Sequence, residues 1–187
     1  MPVALSKGTC AIMTPRQDAR LVLKSSEFPG QTVELAVSDL HPRRTSGWSA
    51  YLEGALFVGR REWGAIPGFN IDVCADLPMA KGLSSSASIE SVIVFGLSKF
   101  MNVEATPDEM IRLAHAAETE YVGVRCGILD QTAIFLAKPA SLLVFDCTEL
   151  TREYLPLDPD KVVIAVVDSC TARELATSAF NQRVAEC

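Results

Sequence analysis

The sequence lacks the features that mark membrane proteins and nucleic-acid-binding proteins. No stretch approaches the length of a membrane span, and the first residues do not pair a charged segment with an uninterrupted apolar one. Basic residues are interleaved with acidic ones, and the formal net charge is −6. Such a surface disfavours DNA and RNA and favours a small-molecule ligand. We therefore expect a cytoplasmic protein without membrane or nucleic-acid partners.

Closely spaced cysteines are also absent. The sequence has six cysteines, which are Cys10, Cys74, Cys126, Cys147, Cys170 and Cys187. Their scatter provides neither a zinc knuckle nor a Cys-x-x-Cys redox pair. Four of them lie in apolar runs of strand character, where cysteine commonly serves as a small buried side chain. We predict reduced thiols that are used for packing.

Internal repeats and low-complexity linkers are missing as well, so the chain offers no internal domain boundary. A length of 187 residues with 49% hydrophobic content suits one compact unit or a large part of one. Apolar runs and alternation predict strands at Thr9 to Met13, Arg20 to Lys24, Thr32 to Val37, Phe69 to Cys74, Ser141 to Asp146 and Val162 to Val167. Pro15 and Pro29-Gly30 are expected to interrupt the first strands.

Helical spacing predicts four helices. They cover Trp48 to Arg60, a segment ending at Phe100, a segment from Thr106 to Gly123, and Ala172 to Glu186. In the second, Ile89, Val92, Ile93, Gly96, Leu97 and Phe100 are expected to share one buried face. The third opens with Thr106-Pro107-Asp108-Glu109, which has the form of a capping box. A mixed α/β or α+β domain follows, with helices covering one face of a sheet.

The run from Asp76 to Ser88 places a glycine and consecutive serines where the second helix begins. Backbone N–H groups in a first helical turn lack intrahelical partners and carry positive potential, so they can bind phosphate. Gly82 permits close approach of an anion, and serine hydroxyls can donate to phosphate or bind a magnesium ion. An ordinary serine cap after a glycine turn explains the same residues and stays open.

Two acidic residues form a second candidate group. Asp130 stands among apolar neighbours, where a carboxylate is costly unless it is paired or functional, and it could act as a general base. It could equally cap a helix that begins at Gln131. Glu118 lies near the end of its helix, where a cation would relieve its unfavourable interaction with the helix dipole. A solvated surface glutamate is the alternative.

Two motifs carry a family resemblance. Pro78-x-x-x-Gly82-Leu-Ser-Ser-Ser-Ala87 resembles the phosphate-binding motif of the GHMP kinases. Cys126-Gly-Ile-Leu-Asp-Gln131 resembles a segment specific to galactokinases and their closest sugar-1-kinase relatives. The similarity extends along essentially the whole chain. It implies an α+β GHMP kinase N-terminal domain over residues 1–187, of the ribosomal protein S5 domain 2-like type, with helices on one face of a mixed sheet.

The resemblance also implies an activity, namely transfer of phosphate from ATP to the anomeric hydroxyl of galactose, with Mg²⁺ as cofactor. It assigns the ATP phosphates to Gly82, Leu83, Ser84, Ser85, Ser86 and Ala87. It assigns magnesium to Ser86 and Glu118, and the surroundings of adenine to Trp48 and Tyr51. The sugar would contact Gly127, Asp130 and Phe180, with Asp130 as the catalytic carboxylate. Phosphoryl transfer needs such positioning and charge neutralisation.

Departures from the family pattern set further expectations. The Arg-x-Asn-Leu-Ile-Gly-Glu-His-Thr-Asp-Tyr segment of galactokinases is not in this sequence, nor is the family's second domain. We therefore expect an incomplete domain in a fragment truncated at both ends, with little kinase activity of its own. Phe180 replaces a sugar-binding tyrosine, so a galacturonokinase or an arabinokinase-type enzyme is an alternative. A catalytically weak sugar and ATP sensor, or a non-functional remnant, remains open too.

Overall fold

A four-stranded mixed sheet lies at the centre of the computed structural model, which describes residues 2–42, 47–78, 82–146 and 148–168. Its strands are β1 (Thr9–Arg16), β2 (Arg20–Ser25), β3 (Thr32–Ala36) and β4 (Gly68–Ala75), in the spatial order β1-β4-β2-β3. Strand β4 pairs antiparallel with β1 and parallel with β2, and β2 pairs antiparallel with β3. The α+β fold with a mixed sheet is thus confirmed.

Helices cover one face of this sheet. They are α1 (Ser49–Trp63), α2 (Ser85–Phe100), α3 (Pro107–Ala116) and α4 (Leu129–Leu136), and a short 3₁₀ turn spans Val37–Asp39. A π-helical segment, Ala117–Val122, continues α3 and ends at Gly123, which has a φ of 87°. The predicted end near Gly123 is therefore confirmed, since this left-handed conformation suits glycine.

The core lies between the sheet and α1, α2 and α3. The largest fully buried side chains are Leu21, Leu23, Leu40, Leu52, Leu56, Phe69, Ile71, Ile93, Leu97, Leu113, Tyr121 and Leu143. Buried and exposed residues alternate along β2 and β4, as expected for strands with one covered face. Phe100 departs from the predicted buried face of α2. It is 44% exposed at the helix end and packs edge-to-face on Phe69.

Local signals located most element boundaries correctly. The capping box of α3 is confirmed, because Thr106 Oγ1 accepts from the Glu109 backbone N–H at 3.2 Å and Glu109 Oε2 accepts from the Thr106 N–H at 2.8 Å. Pro15, expected to interrupt the first strand, lies inside β1. In the described sheet β1 is an edge strand, and an edge position tolerates a residue that has no N–H group to donate.

The region after α4 differs from the prediction. Strand β5 (Ser141–Phe145) forms a hairpin with β6 (Arg152–Pro156), a strand that the sequence pattern did not reveal. The strand predicted at Val162 to Val167 is wrong, because these residues adopt no regular structure and Val163 is 89% exposed. The helix predicted at Ala172 to Glu186 lies outside the described residues.

The predicted burial of cysteines in strand-like runs is wrong for Cys10 and Cys74, which are exposed. Cys126, which lies outside the strands, is partly buried. The two exposed cysteines lie at strand positions that project away from the helices. Alternation along a strand places every second side chain on the open face, and an apolar run does not reveal which positions those are. Cys147, Cys170 and Cys187 lie outside the described residues.

Within the described part of the chain, no helix combines the length and the apolar character that crossing a membrane requires.

Candidate active site

The run from Asp76 to Ser88, called the serine loop below, enters the first turn of α2, and that helix has no side-chain cap. Gly82 and Ser84 have positive φ angles of 76° and 56°, and α2 begins at Ser85. Ser84 occupies the N-cap position, yet its side chain makes no capping hydrogen bond. The simple cap that the sequence left open is therefore not formed. Left-handed backbone at a non-glycine residue is uncommon, and it frequently accompanies ligand-binding loops.

Ser86 and Glu118 meet at the start of α2. The Ser86 hydroxyl donates to Glu118 Oε1 at 2.9 Å, although the two residues are 32 positions apart. Glu118 is 4% exposed, so the alternative of a solvated surface glutamate is wrong. It lies in the π-helical segment, and such segments often occur at functional sites. The structure thus brings together the two residues to which the resemblance assigns magnesium.

Close packing of α1 holds the π-helical segment in place. A Cβ atom at Gly54 would lie 3.0 Å from the Ala117 carbonyl oxygen and 3.2 Å from Tyr121 Cβ. Glycine at this position lets the two backbones approach. Tyr121, which is fully buried, donates its hydroxyl to Glu53 Oε2 at 2.9 Å. Both contacts place the backbone that carries Glu118.

Two further polar residues, which sequence reasoning missed, complete the cluster. Gln131 is fully buried and donates from Nε2 to Glu118 Oε2 at 2.8 Å. Glu90 is also fully buried, and neither of its carboxyl oxygens has a hydrogen-bond partner; the same is true of Gln131 Oε1. One N–H of the Gln131 amide is used by Glu118, and the other is available to Glu90, whose pKa Gln131 lowers against the larger effects of burial and Glu118.

Burial, followed by repulsion from Glu118, raises the pKa of Glu90 well above its ordinary value. Both causes favour the protonated form of Glu90. Its spacing contained a hint, because Glu90 follows Ser86 by one helical turn and lies between the apolar residues Ile89 and Ile93. An acidic residue there faces the same neighbours as Ser86.

Tyr51 and Cys126 border this buried acidic cluster. Burial, with smaller contributions from Glu118 and Glu90, raises the pKa of Tyr51 to about 12. Burial and the same two carboxyl groups raise the pKa of the Cys126 thiol. Both groups are thus kept protonated in a region of negative potential. A bound cation would reduce that potential, which makes the cluster a suitable place for one.

Trp48 lies at a different place from Tyr51. Its ring stacks on Phe28 with a centroid distance of 5.6 Å, and its Nε1 donates to Gln31 Oε1 at 3.3 Å. Trp48 lines a cleft whose wall also includes Ser85, whereas Tyr51 does not. Of the two residues assigned to adenine, Trp48 is the one that shares a cleft with the serine loop.

Asp130 lies in the first turn of α4, next to buried Gln131. It is exposed, so the expectation that apolar neighbours surround its carboxylate is wrong. The cap alternative is also wrong, because Ile128 is the N-cap residue of α4 and no side chain makes a capping bond. Gly127 is exposed, and a Cβ atom added to it would have no neighbouring atom within 4 Å. Phe180 lies outside the described residues.

The oxygen ligands of this cluster suit a hard cation that takes only some of its ligands from the protein. Ser86 and Glu118 offer a hydroxyl and a carboxylate, and Mg²⁺ typically takes one or two such ligands together with water and phosphate oxygens. Among the described residues, no group of three His, Cys, Asp or Glu side chains could hold a metal ion. A magnesium ion here would therefore depend on a bound phosphate.

Comparison with known proteins gives a consistent result. Residues 50–138 match the family described as the GHMP kinases N terminal domain. The galactokinase of Exiguobacterium sibiricum is 37% identical over 188 residues, which cover all of this chain and 48% of that protein. The galactokinase of Limosilactobacillus fermentum is 34% identical, with coverage of 100% and 49%.

A solved structure agrees with these sequence matches. The crystal structure of Lactococcus lactis galactokinase complexed with galactose superposes with a TM-score of 0.85 and 28% identity, covering 98% of this chain and 48% of that one. The chain therefore spans about half the length of the curated relatives that it matches.

Proposed function

We propose that this chain, whose residues 50–138 match the GHMP kinases N terminal domain and which is similar to galactokinases along its whole length, supplies the ATP-binding part of a sugar-1-kinase. The reaction is transfer of the γ-phosphoryl group of ATP to the anomeric hydroxyl of galactose. One observation carries the proposal, which is the contact between Ser86 and buried Glu118 beneath an uncapped helix N-terminus.

The uncapped start of α2 supports a role for Gly82 to Ala87 in binding the ATP phosphates. Backbone N–H groups of the first turn are free of a capping side chain, and the helix dipole favours an anion there. Trp48 lines a cleft beside Ser85, so its ring lies on the side of the phosphate-binding turn where the resemblance places adenine. Aromatic side chains and a phosphate-binding turn on one wall suit a nucleotide.

Ser86 and Glu118 would hold magnesium against the phosphates. Magnesium neutralises charge that develops during phosphoryl transfer. Asp130, exposed at the start of α4, is free to accept a hydrogen bond from the sugar's anomeric hydroxyl and so to orient the attacking oxygen. Gly127, close by in sequence and also exposed, leaves its backbone accessible to the sugar.

Equilibrium binding to this chain tests the nucleotide site. Isothermal titration calorimetry with a non-hydrolysable ATP analogue would be run with and without Mg²⁺. We expect magnesium to strengthen binding of the ATP analogue to the wild-type chain. Glu118→Gln should reduce this magnesium-dependent increase in affinity by a factor of at least about ten, since it deletes a charged ligand. Glu120→Gln is the matched control, because Glu120 lies in the same segment but is exposed and pairs with Arg61. Equal behaviour of the two variants would contradict the magnesium assignment.

Ligand-observed NMR tests the sugar. Galactose, galacturonate and arabinose would each be titrated into the chain saturated with the ATP analogue and Mg²⁺. We expect signals from galactose that Asp130→Asn weakens. Binding of galacturonate in preference to galactose would replace the galactokinase assignment with the sugar-acid alternative.

A further inference from the structure

Two exposed cysteines that are remote in sequence lie opposite one another in the sheet. Cys10 of β1 and Cys74 of β4 are register partners in the antiparallel pair. Side chains of directly opposed residues project from the same face of a sheet. Both cysteines are exposed, whereas the next pair along the strands, Ala11 and Val73, is directed towards the helices. The two thiols are therefore neighbours on the open face.

The hydrogen-bond pattern defines their spacing more closely. The Asp76 N–H donates to the Gly8 carbonyl at 3.2 Å, so Gly8 and Asp76 form a hydrogen-bonded pair. Bonded and non-bonded pairs alternate, which makes Cys10 and Cys74 a bonded pair with Cα atoms about 5.5 Å apart. Disulfides join Cα atoms about 4.4–6.8 Å apart, so the backbone already has a suitable separation.

The Cβ atoms must approach one another for a bond to form. In a hydrogen-bonded pair they lie towards the wide end of the usual range of about 4.5–5.5 Å, against a mean of about 3.8 Å in disulfides. The two strands must therefore shift locally by more than about 1 Å, and bonds that strain their surroundings are the more easily reduced ones. The geometry thus favours a reversible disulfide over a permanent one.

We propose that Cys10 and Cys74 form a reversible disulfide by exchange with a low-molecular-weight disulfide such as oxidised glutathione. One cysteine thiolate attacks a glutathione sulfur, forming a mixed disulfide and releasing one glutathione thiolate. The other cysteine thiolate then attacks the protein sulfur of that mixed disulfide and releases the second glutathione thiolate. The protein loses two protons and two electrons, and oxidised glutathione is reduced to two thiols.

The location of the pair gives the bond a structural consequence. Beside Cys10, Thr9 Oγ1 accepts from the Ser88 hydroxyl at 2.7 Å, and two residues after Cys74 the Asp76 carboxylate accepts from the Gly8 N–H at 2.7 Å. The bridge would join β1 to β4 at the points where these strands contact both ends of the serine loop. This inference concerns the thiols alone and does not depend on the proposed function.

Cys126 is an internal control for reactivity. It is partly buried, which limits the access of a disulfide reagent to its sulfur. Cys10 and Cys74 differ from Cys126 because both are exposed and each lies opposite the other cysteine in the sheet.

Peptide mapping tests the proposal. The folded chain would be incubated with oxidised glutathione, alkylated, digested with trypsin and analysed by mass spectrometry. We expect the peptides spanning residues 8–16 and 62–81 to be joined, and to separate after treatment with dithiothreitol. Cys126→Ser should leave the joined product unchanged. Cys74→Ser should eliminate it and leave Cys10 as a persistent glutathione adduct.

Three results would overturn the proposal. They are separate glutathione adducts on Cys10 and Cys74 without a joined product, joining of either peptide mainly to another cysteine, and a joined product that forms only when the chain is unfolded in urea.

Discussion

At the residue scale, the candidate site depends on a chain of polar contacts whose members differ in charge. Ser86 and Gln131 donate to the two oxygens of Glu118, so each oxygen has one hydrogen bond and keeps a lone pair for a further donor or a cation. Glu90 and Gln131 Oε1 are left without partners. A neutral Glu90 can act as a donor, whereas an ionised Glu90 would add a second buried negative charge beside Glu118. The raised pKa of Glu90 therefore has a direct structural reason.

This protonation state predicts how stability changes with pH. Because the pKa of Glu90 is higher in the folded chain than its ordinary value of 4.5, folding favours the protonated form. The stability linked to Glu90 is fully present below pH 4.5 and decreases as the pH rises towards the folded pKa. Glu90→Gln keeps the shape and removes the charge. We expect this variant to gain stability over wild type as pH rises from 5 to 8, by at most about 1.4 kcal/mol per pH unit.

Urea unfolding followed by circular dichroism at several pH values measures this difference. Glu104→Gln serves as the control, because Glu104 is exposed and its replacement should produce no pH-dependent gain. A constant difference between Glu90→Gln and wild type across the pH range would show that Glu90 is ionised in the folded chain.

At the element scale, the position of Glu118 depends on the close packing of α1 against the π-helical segment. A Cβ atom at Gly54 would press on the Ala117 carbonyl, one residue before Glu118. We expect Gly54→Ala to destabilise the fold by about 1–3 kcal/mol through overpacking, and to weaken magnesium-dependent binding of the ATP analogue. Thermal unfolding and calorimetry measure the two effects.

The matched control is Gly47→Ala. Gly47 precedes α1 and has nothing within 4 Å of a Cβ position. A Gly54→Ala variant that behaved like Gly47→Ala would contradict the view that this contact places Glu118.

Helices and strands were predicted correctly where the residues that define them are close together in the sequence. The capping box of α3 involves four consecutive residues, so its sequence contains all of its partners. The apolar run from Val162 to Val167 has the composition of a strand but forms none in the described structure. A strand requires a neighbour to pair with, and composition does not supply one. Of the hairpin formed by β5 and β6, only β5 was predicted. Strand β6 is mostly exposed and contains polar residues, so it lacks the apolar pattern that marks a strand in sequence.

At the scale of the whole molecule, long-range contacts attach the serine loop to the sheet. The Ser88 hydroxyl of α2 donates to Thr9 Oγ1 of β1 across 79 positions of sequence. We expect Thr9→Val to lower the free energy of unfolding by about 1 kcal/mol, because it removes a partly buried hydrogen bond. It should also weaken binding of the ATP analogue, since α2 would be held less firmly.

Chemical unfolding and calorimetry test both parts of this prediction. Thr14→Val is the control, because Thr14 lies on the same strand but is exposed on the face away from the helices. An equal loss of stability in the two variants would mean that the effect comes from strand propensity and not from the contact with Ser88.

The sequence by itself determined the elements whose partners lie within a few residues, and it carried the family resemblance that assigns Ser86 and Glu118 to one site. Only the tertiary structure decided that Glu90 and Gln131 join Glu118, that Asp130 is exposed, and that Cys10 lies opposite Cys74. The physical reason is that burial and strand register arise from contacts between distant segments. A local pattern of residues describes one side of such a contact and not its partner.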